Sequence, residues 1–470
     1  MSEIKKQNPL FKPSSLVYMG LTLYVLILLL ISIIVNLDQP KSKNYSLTEK
    51  YIVAQIKGLE AIKKYQSVES QLEGLKDKLN AIPLKDIQEK SALHFAVLYN
   101  YFGLKSKSLE LIEVSHKNPE LQNLLESILH SKVVSVDDNA KQLIYNGFKE
   151  EWYRQRLLHK YYQKTGDHEK REGLKSRISQ SQNSMLILLS IQTIALITLV
   201  ITGLIFIVLA ILHWKEDRKL LPSHGFSGVA DPLWDAYGLF IIWFSLVITV
   251  DIIMSLAMRL GADYNLFHFS SVEWLLDLSI GHIILSATIE LIVIRLLILK
   301  QESLTLRDFF RKVLPISNLK AFLRHVMLGV QTYAVAVPII LLIGLISKYF
   351  IDENPLESNP IFTLLIDGES SFTSISVFVM AIVLAPVFEE ILFRGLLFRL
   401  LQRKWSTELA ALVTSVIFGM IHHDLYSFLP ITVLGMVLAW GYQKSNSLIT
   451  PIIAPALWNG TTLLSVYLFL

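Results

Sequence analysis

The sequence predicts an all-α protein: a polytopic transmembrane helical bundle of about nine spans, with an all-helical extramembrane domain inserted after the first. Three observations carry this. Hydrophobic residues make up 52% of the 470 positions and charged residues only 18%, an unusually apolar balance for a soluble chain. Much of that apolar content lies in runs long enough to cross a hydrocarbon core of about 30 Å at about 1.5 Å per residue. The polar residues instead crowd into one block, from about 38 to 183, rich in Lys, Glu, Asp, Gln and Asn.

The first apolar run, Leu16 to Leu37, has 22 residues and is preceded by Lys5, Lys6 and Lys12. Asp38-Gln39-Pro40-Lys41 offers no small-residue cleavage site, so residues 1–37 read as a cytoplasmic tail and a retained anchor. Within 38–183, Leu72, Leu75 and Leu79 recur as one apolar helical stripe. Two stretches, 91–114 and 151–178, read as helix, short turn, helix, with turns at Phe102-Gly103 and Thr165-Gly166-Asp167. They resemble tetratricopeptide-type hairpins, without a clean repeat of about 34 residues. Such a domain serves either as a docking module for a protein partner or as a helical spacer.

Residues 184–236 read as a second span, about 185–212, and a basic loop with Lys215, Arg218 and Lys219. The rest, 237–470, is a membrane domain with spans near 237–258, 275–299, 325–347, 372–402, 407–423, 428–443 and 449–469. Lys300, Arg307, Arg311, Lys312, Lys320 and Arg324 crowd one loop, and Asp352, Glu353, Glu357, Asp367 and Glu369 the next. Basic loops stay inside, so the N-terminus is expected in the cytoplasm and 38–183 outside it. The expected location is a bacterial cell membrane, which the loop charges do not themselves establish. The net charge of +4 is small and its basic clusters flank apolar runs, which argues for the lipid bilayer and against nucleic acid as a partner. The absence of cysteine excludes disulfides, thiolate zinc sites and a thiol nucleophile.

An ionisable side chain inside an apolar helix costs on the order of 3 kcal/mol, so each is read first as functional. They concentrate in AIVLAPVFEEILFRGLLFRLLQRK. Glu390 and Arg394, four apart, share a helical face as an ion pair, which turns Glu389 about 100° away and leaves it free to act as a base. Arg403, Lys404, Trp405 and Ser406 mark a bend. Glu389 lies 16 residues before Trp405 and His422 lies 17 after it, so an antiparallel hairpin sets them level. A carboxylate and an imidazole at one depth in a water-poor site can activate a water. Asn459, on a final span that Pro451 and Pro455 would kink, is placed to donate to an oxyanion.

The order E-E-x-x-x-R (Glu389, Glu390, Arg394), F-x-x-x-H (Phe418, His422) and a late Asn (Asn459) resembles the CAAX protease and bacteriocin-processing family, also called CPBP or Abi, related to the CAAX prenyl proteases. The resemblance covers about 371–470 and reaches back to 237. It implies a glutamate-dependent intramembrane endopeptidase acting on a membrane-associated protein or peptide. Glu389 matches its catalytic glutamate, His422 its water-activating histidine and Asn459 its oxyanion-stabilising asparagine, while Glu390, Arg394 and Phe418 support them and His423 and Asp424 are accessory candidates. Pro455 departs from the pattern by standing where the family has a histidine four residues before the Asn. The resemblance also raises a divalent metal, zinc, with Glu389 and His422 as ligands and Glu390, His423 or Asp424 as a third; H-E-x-x-H is absent.

Two other classes compete. A noncatalytic binding or immunity protein on the same scaffold is favoured by Pro455 and the large helical domain. A transporter would explain Asp251, Asp277, His282, Glu290 and Arg295 in or near spans, but the chain lacks paired broken helices in corresponding halves. A serine protease would have to use Gly368-Glu369-Ser370, which sits in a polar acidic loop, and G-x-G-D for an aspartyl type is absent.

Overall fold

A leucine stripe needs a partner surface, and in the polar block it has one: Leu75 and Leu79 are buried and Leu72 half-buried. The computed structural model describes residues 45–63, 67–87, 89–115, 118–131, 139–212, 311, 314–350, 361–362, 365, 371–402, 405–422 and 425–469. Every regular element among them is helical. The expected spans at 16–37, 237–258 and 275–299 lie outside the described residues. So do Asp251, Asp277, His282, Glu290 and Arg295, Gly368-Glu369-Ser370, the acidic loop and most of the basic-loop cations. Two compact units are present, one within Ser42–Leu196 and one within Ile197–Leu468.

The first unit comprises α1 (Tyr45–Ile62), α2 (Glu69–Asn80), α3 (Glu89–Tyr101), α4 (Lys105–Val114), α5 (Pro119–Leu129), α6 (Ala140–Gly147), α7 (Glu151–Thr165) and the start of α8 (His168–Leu212). Helix–turn–helix pairs form at both expected places, α3–α4 and α7–α8. Their turns need Gly103 and Gly166, whose φ of 78° and 76° a side chain would oppose. At the start of α5, Asn118 Oδ1 accepts the Leu121 N–H at 3.0 Å, and Pro119 occupies the first turn, where its missing N–H costs nothing. Phe95, Tyr99, Ile112, Leu125, Phe148, Tyr153 and Leu157 are fully buried in a single apolar core.

That core encloses a polar knot. Tyr153 donates to the Glu49 carboxyl. The His94 ring lies edge-on between Phe148 and Tyr153, 4.9 Å from each, with Nε2 3.5 Å from Glu150. Burial raises the Glu49 carboxyl to about 7, with the His94 charge opposing. Burial also works against a charged His94, but its contact with the Glu150 carboxylate and the charge of Glu49 outweigh it and raise its pKa. The neighbouring His94 holds Glu150 down at about 2 against its desolvation. Glu49 and His94 bind protons more tightly folded than unfolded, so their contribution is complete below the unfolded values and is lost as pH rises, for Glu49 between about 4.5 and 7. Glu150 has the opposite sign, and its contribution is lost as pH falls from about 4.5 toward 2. The unit should therefore be most stable in mild acid and lose on the order of 3 kcal/mol by pH 8. Amide exchange of 45–62 and 151–165, corrected for intrinsic rate, should quicken from pH 5.5 to 8, and Glu49→Gln should flatten the change. Slower exchange at pH 8 would contradict the assignment.

The second unit contains α8 from Ile197 onward, α9 (Leu319–Phe350), α10 (371–401), α11 (Thr407–Met420), α12 (Leu425–Ser445) and α13 (Ile449–Phe469). Among the described residues four helices are long and apolar enough to cross a membrane: His168–Leu212, Leu319–Ser347, Phe372–Phe398 and Ile449–Leu468. On α8, Ile187, Ile191, Ile194, Ile201, Leu204 and Val208 are exposed, which water would penalise and lipid does not. The span expected at 407–423 is the shorter helix α11, whose 14 residues rise about 21 Å, less than a bilayer core. Ser406 caps it, accepting the Leu409 N–H at 3.3 Å. α12 packs against α9, α11 and the later part of α10.

Candidate active site

Pro386 sits inside α10, three residues before Glu389, and determines how the helix is wound there. It has no N–H for a carbonyl one turn back, and its ring crowds that turn. The chain answers by widening to i→i+5 bonding over Met380–Leu384, where Ala385 N–H reaches Met380 O. Ordinary α-winding returns for Ala385–Glu390, and a second widened segment covers Ile391–Phe398. The two glutamates thus occupy a short α-helical step between two widened turns, a kind of irregularity frequent at functional sites.

The i,i+4 pair forms as its spacing predicts. Glu390 is 0% and Arg394 1% exposed, and their Oε1 and Nη1 atoms lie 2.5 Å apart. Arg394 Nη2 donates to Gly435 O on α12 at 3.0 Å, tying α10 to α12. The guanidinium lies over the Phe418 ring, 4.7 Å from its centroid. Phe418 in turn meets the His422 ring edge-on at 5.0 Å. Arg394 and His422 are therefore linked through Phe418, on the face that the F-x-x-x-H spacing creates.

Glu389 is half-buried and makes no hydrogen bond or ion pair among the described residues. His422 is exposed rather than on a helical limb, because α11 ends at Met420. The final turn tightens, with His422 N–H bonding Gly419 O at 3.3 Å. His422 Nδ1 lies 2.7 Å from Phe418 O. A carbonyl only accepts, so Nδ1 carries the proton and Nε2 keeps the basic lone pair. No hydrogen bond or ion pair joins Glu389 and His422 among the described residues, and His423 and Asp424 lie outside them.

Asn459, on α13, donates from Nδ2 to Ala381 O in the first widened turn, at 2.7 Å. Pro455 lies one turn earlier and is buried, on the same face of α13 as Asn459. Sequence reading passed over Pro386, Ala381 and Gly435. A proline inside an apolar run was the available signal for the first two. Gly435 contributes only a backbone carbonyl, which side-chain identity does not reveal.

Gly419 sets the fit of α11 on α12. A Cβ there would meet Thr432 Oγ1 and come within 2.9 Å of Phe428 O, and that backbone atom cannot swing aside. Gly419→Ala should therefore cost about 1–3 kcal/mol through overpacking and displace the Phe418–His422 stack. A lowered unfolding temperature in detergent would register this, and an unchanged one would mean that the helices separate freely.

His423 and Asp424, two of the candidates for a third zinc ligand, lie outside the described residues. No three His, Asp or Glu side chains gather among the described residues, and Glu389 with His422 would provide two ligands where a catalytic zinc takes three.

The second unit is thus an apolar helical domain that holds a buried Glu–Arg pair beside a half-buried carboxylate. Residues 371–461 match the family model of type II CAAX prenyl endopeptidase Rce1-like proteins. The chain is also similar to a Bacillus subtilis (strain 168) protein named "Putative membrane peptidase YdiL", with 35% identity over 81 residues. That match covers 17% of this chain and 33% of the relative, so the chain spans about a third of that protein's length. No solved structure matches. Over 371–461, then, the chain is similar to the CAAX protease family that the motif order resembles.

Proposed function

We propose that the protein is a glutamate-dependent intramembrane endopeptidase that hydrolyses a peptide bond of a membrane-associated protein or peptide. The observation that carries this is Glu389, half-buried and free of hydrogen bonds and ion pairs among the described residues, next to a Glu390 whose Oε1 is paired with Arg394. In this reading Glu389 takes the proton of a water that His422 orients through Nε2. As the water attacks the scissile carbonyl, the Asn459 amide hydrogen not used by Ala381 faces the oxyanion, a donor of a kind worth about 3–4 kcal/mol. Glu389 then returns its proton to the leaving amine. Glu390, Arg394 and Phe418 keep α10, α11 and α12 in register around the reacting groups.

The proposed setting is a bacterial cell membrane crossed about nine times, with the N-terminus cytoplasmic and 38–183 an extracytoplasmic hairpin domain that receives a protein partner. Cleavage of a fluorogenic peptide library by detergent-solubilised protein tests the activity, comparing wild type with Glu389→Ala and His422→Ala. Loss in both folded variants supports the proposal. Equal cleavage in all three refutes this site. Binding of a membrane peptide that survives Glu389→Ala, with no cleavage by any form, would assign the scaffold a noncatalytic role, the alternative that Pro455 favours.

A further inference from the structure

The Ala381 carbonyl has lost both of its usual helical donors. In α-winding it would accept Ala385 N–H, but that group is drawn to Met380 O. In the wider i→i+5 pattern it would accept from residue 386, which is proline and has no N–H. Ala381 is 5% exposed, so water is a poor substitute, and a buried carbonyl left without a donor is costly. Asn459 Nδ2 supplies the donor at 2.7 Å from a different helix.

The geometry points to Asn459 as a positioning residue: its amide holds open the proline-widened turn of α10 and thereby sets the placement of Glu389, eight residues beyond Ala381. This deepens the proposed function and rests on Glu389 being the base. One amide hydrogen is used in this way, which leaves the second for the oxyanion. Pro386 and Asn459 then form a coupled pair, the proline creating the orphan acceptor and the asparagine satisfying it. Shortening the asparagine should let the turn seek its own donor, rotating the segment that carries Glu389, and a shift of about 1 Å at a reacting group can cost about 10²-fold in rate.

The test is a double-mutant cycle on full-length protein in detergent with Asn459→Ala, Pro386→Ala and both together. Pro386→Ala restores an N–H, so Ala381 O can be satisfied within α10 and the asparagine is no longer required for it. Unfolding temperature is read first, because it needs no activity. Asn459→Ala should lower it clearly in the wild-type background and hardly at all in the Pro386→Ala background. Equal losses in both backgrounds would overturn the inference. Turnover is read below every unfolding temperature. Asn459→Ala should lower kcat about 10²-fold with KM little changed and move the limb of the pH–rate profile that belongs to the base, effects that destabilisation alone does not produce. On the Pro386→Ala background the same substitution should cost less, with the oxyanion contribution remaining. A wild type that cleaves nothing would sink the proposed function while leaving the temperature cycle to decide the coupling.

Discussion

Glu389→Gln is expected to reduce kcat/KM for peptide cleavage by at least about 10²-fold without lowering the unfolding temperature, the opposite of what its neighbour should show. The amide keeps the size and shape of the carboxylate but cannot take a proton, and a general base contributes about 10²–10⁴-fold. Glu389 has no hydrogen bond or ion pair among the described residues to lose, and it is half-buried, so the fold has little stake in its charge. Its charge repels Glu390 but attracts Arg394, so the two effects of removing it oppose each other. Steady-state kinetics together with thermal unfolding of the same preparations check both halves of the statement. Full activity in Glu389→Gln would remove the base from the mechanism, and an activity loss matched by unfolding would reduce the residue to a structural one.

The Glu390–Arg394 pair was legible in the sequence because it depends on helical spacing alone. Four residues place Glu390 and Arg394 on one face whichever helices surround them, and the widened winding of 391–398 did not prevent the pair from closing. The turns at Gly103 and Gly166 were legible for the same local reason. The sandwich of Phe418 between Arg394 and His422 was not, although F-x-x-x-H put the phenylalanine and histidine on one face. Its third member comes from another helix, and only packing decides which ring meets which cation. The level placement of Glu389 and His422 assumed that α11 continued through His422, whereas its backbone tightens and ends at Met420. Hydrophobic periodicity finds the body of a helix more securely than its last turn. Asn459 was found as a polar residue on an apolar helix, but its bond to Ala381 depends on a carbonyl that only the winding around Pro386 releases.

Arg394→Ala is expected to be the most damaging single substitution to the fold, costing about 3–5 kcal/mol, because it strands a fully buried carboxylate. Set against the roughly 5–15 kcal/mol that holds an ordinary domain together, this removes from about a fifth to all of the folding free energy. Lysine should not rescue it: one ammonium cannot bond Glu390, reach Gly435 O and lie flat over Phe418, as the planar guanidinium does. The pair is nonetheless incompletely satisfied, since Glu390 Oε2 and Arg394 Nε have no hydrogen-bond partner among the described residues. Its desolvation cost is therefore only partly offset, and the double substitution Glu390→Leu with Arg394→Met should recover most of the stability lost by either single change. Unfolding temperatures of the four proteins in one detergent decide the matter. Recovery in the double variant with cleavage still absent would mean that the ion pair is retained to fix how α10, α11 and α12 present Glu389 and His422. Recovery of both stability and cleavage would mean that shape alone suffices, and a wild-type unfolding temperature in Arg394→Ala would mean that the carboxylate gives up its charge when its partner is removed.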